Sequence, residues 1–220
     1  MNNLTEVSQP LQRKLSSFLS SNIATAQAES NSTKPKILAA VSLVIVQTHP
    51  TKDLHDCQLL LMQRAFHKDD PWSGHLSFPG GGIEKEDENT LATAIRETQE
   101  EMGLTLSMAS WSGALSPVFG PVISEHKTVQ LFPHIFVLDA IPELSLNEEA
   151  QAAFWVSLNR LSQARYVNEF SHPHIKEKTM LGIDIGKNLD VLLWGLTLEV
   201  LYQFFKKINF KTEQDLITYL

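Results

Sequence analysis

The feature that restricts this chain most is a run of three glycines followed by a breaker-free, acid-rich stretch. Phe78-Pro79-Gly80-Gly81-Gly82 is incompatible with a regular helix and reads as a loop. Residues 90 to 102 contain neither Gly nor Pro, are rich in Ala, Glu, Gln and Arg, and are followed by Gly103, a C-cap residue. The pattern predicts a helix over 90–102. On such a helix Glu97, Glu100 and Glu101 are three and four residues apart, so their carboxylates share one face. Three like charges there repel, and a cation relieves the cost; hard divalent ions such as Mg²⁺ or Mn²⁺ prefer clustered carboxylate oxygens. Taken alone, the run also reads as a solvated acidic face in which Arg96 and Glu100 form an ordinary i,i+4 pair.

The rest of the chain supplies a host for this loop and helix. Its 220 residues suffice for one domain with a sizeable core, and 43% hydrophobic with 20% charged residues excludes a disordered, collagen-like or coiled-coil chain. Residues 37–47 and 58–63 are dense in Leu, Val and Ile and read as buried strands, with a turn over 48–56 between them. Residues 69–82 read as loop with a short strand near 76–78. Strands are expected at 109–119 and 128–138, with a shorter one at 154–158 that includes Trp155. A strongly apolar helix is expected over 189–207, closing on Lys206 and Lys207. Apolar residues on nearly all its sides assign it to deep burial, to a homodimer surface, or to both. Leu11, Leu15, Phe18 and Leu19 follow Pro10 at helical spacing, so residues 1–35 form an extension with a short helix and a polar linker over 27–36, and residues 36–220 form the main domain. Strands and helices interleave, which places the chain in the α/β or α+β class with a mixed sheet.

Charge and apolar length exclude some functions. With 18 basic against 25 acidic side chains the net charge is −7, so no broad positive field is available for nucleic acid. The longest apolar run, 37–46, is about half of a membrane span, and the serines after Arg13 and Lys14 interrupt any secretory core. Neither a membrane role nor secretion is expected. Cys57 is alone, which rules out an internal disulfide and suits a reducing cytoplasm.

The glycine loop and acidic helix together match a longer pattern. Gly82, Glu88, Arg96, Glu97, Glu100, Glu101 and Gly103 occupy all seven fixed positions of the Nudix box. At roughly 7% per residue, chance agreement is on the order of 10⁻⁸ per start. The chain therefore resembles the Nudix hydrolases, and Leu104 fits an apolar position of the box while Thr98 stands where an aliphatic residue is usual. The resemblance implies a mixed β-sheet in an α/β/α sandwich and hydrolysis of a diphosphate linked to a nucleoside. It also implies metal ligation by Glu97, Glu100, Glu101 and the carbonyl of Gly81, with Glu97 or Glu100 as general base. Arg96 would orient these carboxylates, and Glu88 would be either a peripheral ligand or a helix-start residue. Glu125, Glu148 and Glu149 are alternative bases outside the box, each also readable as a surface carboxylate.

Outside the box, residues 37–205 resemble the coenzyme A pyrophosphatase-like branch. The carrying residues are Leu60-Leu61-Met62-Gln63-Arg64-Ala65, the segment from Trp72-Ser73-Gly74-His75 to Phe78-Pro79-Gly80-Gly81, and Trp194-Gly195-Leu196-Thr197. Trp72 and His75 replace the His and Gln usual there, and the interval from Arg64 to Gly74 is one residue longer. The resemblance makes Arg64, Trp72 and His75 the candidate substrate residues and coenzyme A or an acyl-coenzyme A the expected substrate. ADP-ribose or a dinucleotide is the alternative within the enzyme class, and a catalytically silent nucleotide sensor is the alternative outside it. His172-Pro173-His174 reads as a solvated loop rather than a metal clip.

Overall fold

The computed structural model describes residues 9–21, 23, 36–47, 54–68, 72–122, 127–172, 175–186 and 191–212. The elements in chain order are α1 (Gln9–Ser16), β1 (Lys36–Gln47), β2 (Cys57–Arg64), β3 (Leu76–Ser77), β4 (Gly80–Gly82), α2 (Thr90–Met102), β5 (Trp111–Ala114), β6 (Val118–Val122), β7 (Lys127–Leu138), β8 (Ala150–Ser157), α3 (Leu158–Ser162), β9 (Tyr166–His172), β10 (Ile175–Ile183), β11 (Leu193–Trp194) and α4 (Gly195–Lys207).

The apolar run of β1 makes it the centre of an eight-stranded sheet. One edge of β1 runs parallel to β7 from Lys36 opposite Thr128 to Val46 opposite Leu138. Its other edge is shared by two antiparallel partners, β2 near Ile45–Gln47 and β4 at Ala39–Val41. The sheet is thus mixed. Strand β8 continues it beyond β2, and β5 and β6 take successive stretches of β7's outer edge. Period-two alternation along β1 then builds two layers. Val41, Leu43 and Ile45 join Leu198, Leu201, Phe204 and Phe205 of α4, together with Leu11 and Leu15 of α1, in one core. Ala40 and Val44 face the opposite side, where Ala94, Leu91 and Met102 of α2 pack. Helix on sheet on helix is the α/β/α sandwich expected.

Several expectations need correction. Residues 109–119 are two strands rather than one, because Ser116-Pro117 interrupts the ladder. Helix α4 starts at Gly195, after the short strand β11, so the apolar run from 189 divides between strand and helix. Its Leu198, Val200, Leu201, Phe204 and Phe205 are consumed by the core of a single chain. Residues 166–172 and 175–183 pair as an antiparallel hairpin, so His172, expected in a solvated loop, is the last residue of a strand. Their polar composition hid a strand that is joined to the fold through β11. Residues 80–82, read as pure loop, pair with β1. The linker over 27–35, most of the turn over 48–56, residues 69–71, Glu125, and Pro173 with His174 lie outside the described residues.

Candidate functional site

Helix α2 is fixed at both ends before any chemistry is considered. Asn89 accepts the N–H of Ala92 at 2.9 Å as N-cap, and Gly103, at φ 64°, donates its N–H to the Gln99 carbonyl. Thr98, fully buried, places its hydroxyl 2.7 Å from the Ala94 carbonyl and 2.8 Å from Ser42 Oγ on β1. The unusual threonine is therefore matched by a polar partner on the strand beneath it, and the helix keeps its seat.

The glycine loop lies against the acidic face of α2. Gly80 has φ +150°, and a Cβ there would collide with the Ala40 carbonyl. A Cβ on Gly81 would lie 2.5 Å from the Glu97 carboxyl carbon, so glycine at 81 is required by the approach of Glu97. The Gly80 N–H donates to Glu101 Oε2 at 2.8 Å.

Burial sets the electrostatics. Glu101 is 1% exposed, and desolvation pushes its pKa up to about 8 against the lowering pull of the Gly80 N–H and the positive charge of Arg64. The charges of Glu97 and Glu149 push in the same direction as burial. Glu97 is also raised above the ordinary carboxylate range, first by desolvation and then by Glu100 and Glu149, despite the opposing Arg96.

Arg96 organises the rest. Its Nε and Nη2 grip Asp87 Oδ1 and Oδ2 at 3.0 Å each, Nη2 also donates to the Gly82 carbonyl at 3.0 Å, and Nη1 reaches Glu97 Oε1 and Glu100 Oε2 at 3.0 Å. Hydrogen bonding to Asp87 holds the guanidinium well above its usual range, and Arg96 in turn lowers the Asp87 carboxyl. Asp87 also accepts from the Glu84 N–H and the Thr93 hydroxyl, both at 2.9 Å. The sequence reading missed Asp87 and named its neighbour Glu88, which is exposed. An acid nine residues before Arg96 has no helical periodicity to reveal it, because the intervening chain is a turn.

Glu97 and Glu101 feel one another's charge, while Glu100, with a 53% exposed side chain, is held outward by Arg96. Among the described residues no three His, Cys, Asp or Glu side chains converge in a metal-holding group. The donor chemistry nevertheless fits a hard divalent cation. Buried Glu101 and partly buried Glu97 both keep raised proton affinities even with Arg64 and Arg96 nearby, so negative charge there is under-compensated.

Arg64 ends β2, and its charge acts on Glu101. Trp72 is 37% exposed on the loop that follows. His75 stands edge-on to Trp194, with ring centroids 4.9 Å apart and planes at 71°, so two distant sequence stretches meet. Phe66, 72% exposed, was not singled out by sequence; its ring covers Gly74. Of the acids outside the box, Glu149 is brought to the site: its carbonyl accepts the Ala65 N–H at 2.8 Å, and its charge acts on Glu97 and Glu101.

The family model described as the NUDIX domain matches residues 37–178. An uncharacterized Nudix hydrolase, NudL, of Yersinia pestis is 26% identical over 153 residues, covering 69% of this chain and 72% of that protein. An uncharacterized Schizosaccharomyces pombe protein, C14C4.10c, is 38% identical over 104 residues, which is 46% of this chain but only 32% of its own length. The crystal structure of a MutT/nudix family protein from Enterococcus faecalis superposes with TM-score 0.57 at 20% identity, covering 83% of this chain and 66% of that one.

Proposed function

Because this chain belongs to the NUDIX domain family, we propose that it is a metal-dependent hydrolase that opens the diphosphate of a nucleoside diphosphate derivative, with coenzyme A or an acyl-coenzyme A as substrate. The observation that carries this reading is the buried Glu101 beneath the Gly80 N–H, flanked by Glu97, Arg64 and Glu149. Glu97 and Glu101 would be the firmest ligands for Mg²⁺ or Mn²⁺, joined by the Gly81 carbonyl and by Glu100 once it turned from Arg96. Such an ion would neutralise phosphate oxygens and lower the pKa of a bound water.

The chain's own groups divide the remaining work. Arg64 holds a phosphate of the substrate by charge-assisted hydrogen bonds. Asp87 fixes Arg96, which orients Glu97 and holds Glu100 outward until that side chain turns to the cation. A carboxylate takes the proton of the attacking water as it adds to phosphorus and the bridging oxygen leaves with the other phosphate. Glu97, Glu100 and Glu149 are the groups assigned to that step, and Glu149 has the advantage of not being tied to Arg96. The contact between His75 and Trp194 favours coenzyme A, since it unites the two stretches by which the chain resembles that branch. Trp72 is exposed beside them for contact with the adenine or the pantetheine arm.

A hydrolysis panel read by mass spectrometry tests the assignment, with coenzyme A, acetyl-coenzyme A, ADP-ribose, NADH, a dinucleoside polyphosphate and an oxidised dNTP. Cleavage of coenzyme A to 3′,5′-ADP and 4′-phosphopantetheine is expected. Preference for ADP-ribose or a dinucleotide overturns the substrate but keeps the chemistry. Binding without turnover of any compound overturns the enzyme and favours a sensor.

A further inference from the structure

The hairpin between β2 and β3 carries an aromatic ring to which no role has been given above. Strand β2 delivers Leu60 and Met62 to the core beneath α2, and Arg64, next in the same period-two row, acts by its charge on Glu101. Phe66 is the next member of that row. The chain stays extended between them: the Arg64 N–H donates to the His75 carbonyl at 2.9 Å, while the Ala65 N–H donates to the Glu149 carbonyl at 2.8 Å. These acceptors lie towards opposite neighbours of β2, namely β3 and β8. Two residues of extended chain advance roughly 7 Å, comparable with the separation of a nucleotide's 5′-phosphate from its base. Phe66 therefore stands one such step outward from the cation that acts on the carboxylates.

The surroundings hold this ring without hiding it. Just beyond it the His67 N–H donates to Ser73 Oγ at 2.8 Å, and the Ser73 hydroxyl donates back to the His67 carbonyl. The backbone is thus clamped on both sides of Phe66. The far edge of its ring, Cε1, Cζ and Cε2, lies over Gly74, where a Cβ would stand 2.6 Å from Cζ. Gly74 has φ +73°, so glycine serves both the turn and the ring. Phe66 nevertheless remains 72% exposed and makes no ring contact among the described residues. A lone exposed apolar side chain is ordinary. Phe66 differs in being held on a clamped loop beside Arg64, the setting in which binding residues concentrate. Its π-face matches a flat base and not a flexible chain.

We propose that Phe66 is the platform on which the nucleobase of the substrate stacks while the phosphates lie between Arg64 and the carboxylates. This rests on the hydrolase reading above and adds the residue that selects the nucleotide half of the substrate. Purines are favoured over pyrimidines, because stacking grows with ring area.

Phe66→Leu removes the ring and keeps an apolar side chain, whereas Phe66→Tyr keeps the ring; each is compared with the parent full chain in Mg²⁺. Calorimetry with 3′,5′-ADP reads binding, and coenzyme A kinetics separate KM from kcat. In Phe66→Leu the Kd for 3′,5′-ADP and the KM should each rise about ten-fold with kcat within about two-fold, and Phe66→Tyr should restore both. No binding of 3′,5′-ADP by the parent, an unchanged Kd in Phe66→Leu, or a fall in kcat at unchanged KM would overturn the platform. Turnover by the parent with a Kd indifferent to the ring removes the platform alone. Ring-dependent binding of 3′,5′-ADP without turnover of any substrate keeps the platform and removes the hydrolase.

Discussion

Replacing Glu101 by Gln should abolish most turnover while making the metal-free protein more stable. The amide keeps the shape and can still accept the Gly80 N–H, yet it removes a buried charge that the fold does not fully compensate. Turnover should fall at least about 100-fold, the scale expected when a metal's immediate surroundings are altered. The stability arm has a defined pH window. A carboxyl raised to about 8 makes the folded state bind more protons than the unfolded state, so stability falls as pH rises toward 8. Lowered to about 4, His134 acts in the opposite sense: the unfolded state binds more protons below its ordinary 6.5, and stability rises with pH up to that point. Between pH 6.5 and 8 the Glu101 effect is therefore unopposed by His134. Urea denaturation in chelator should show a loss of about 2 kcal/mol across that window, which Glu101→Gln flattens. Turnover surviving within a few-fold would remove Glu101 from the metal site, and an unaltered pH slope would remove burial as the cause of its raised pKa.

The second large effect belongs to Gly81→Ala. The added methyl would lie 2.5 Å from the Glu97 carboxyl carbon, which is the far end of a flexible side chain rather than backbone. Glu97 can swing aside, so the protein should fold with a melting temperature within a few degrees of the parent. The displaced carboxylate loses its place, and a shift of about 1 Å in a reacting group costs on the order of 100-fold in rate. Gly80→Ala is the useful contrast, since its methyl meets the Ala40 carbonyl at a positive φ and should destabilise the fold itself. Equal turnover in Gly81→Ala and the parent would contradict the placement of Glu97 against the loop.

How much of this was legible in the sequence depends on whether the information was local. The bounds of α2, its Gly103 cap and the shared face of Glu97, Glu100 and Glu101 follow from helical periodicity, and the structure keeps them. Likewise the near-continuous apolar runs of β1 and β2 read correctly because central strands are buried on both faces. Strand β9 did not, since Asn168, Glu169 and His172 break the apolar pattern, and its pairing partner β10 supplies the order that composition lacks. The role of Asp87 depends on a turn that folds it back onto Arg96. Only the fold could place Glu149 near Glu97 and Glu101, or bring His75 to Trp194.

The most direct test of the central claim, that these carboxylates hold a divalent cation, is a titration of the full chain with Mn²⁺. The electron paramagnetic resonance amplitude of free Mn²⁺ reports binding without any assumption about substrate. Saturable uptake of Mn²⁺, displaced by Mg²⁺ and weakened at least about ten-fold in Glu101→Gln, is the predicted result. Uptake that is absent, or that is unchanged in Glu101→Gln, would contradict it.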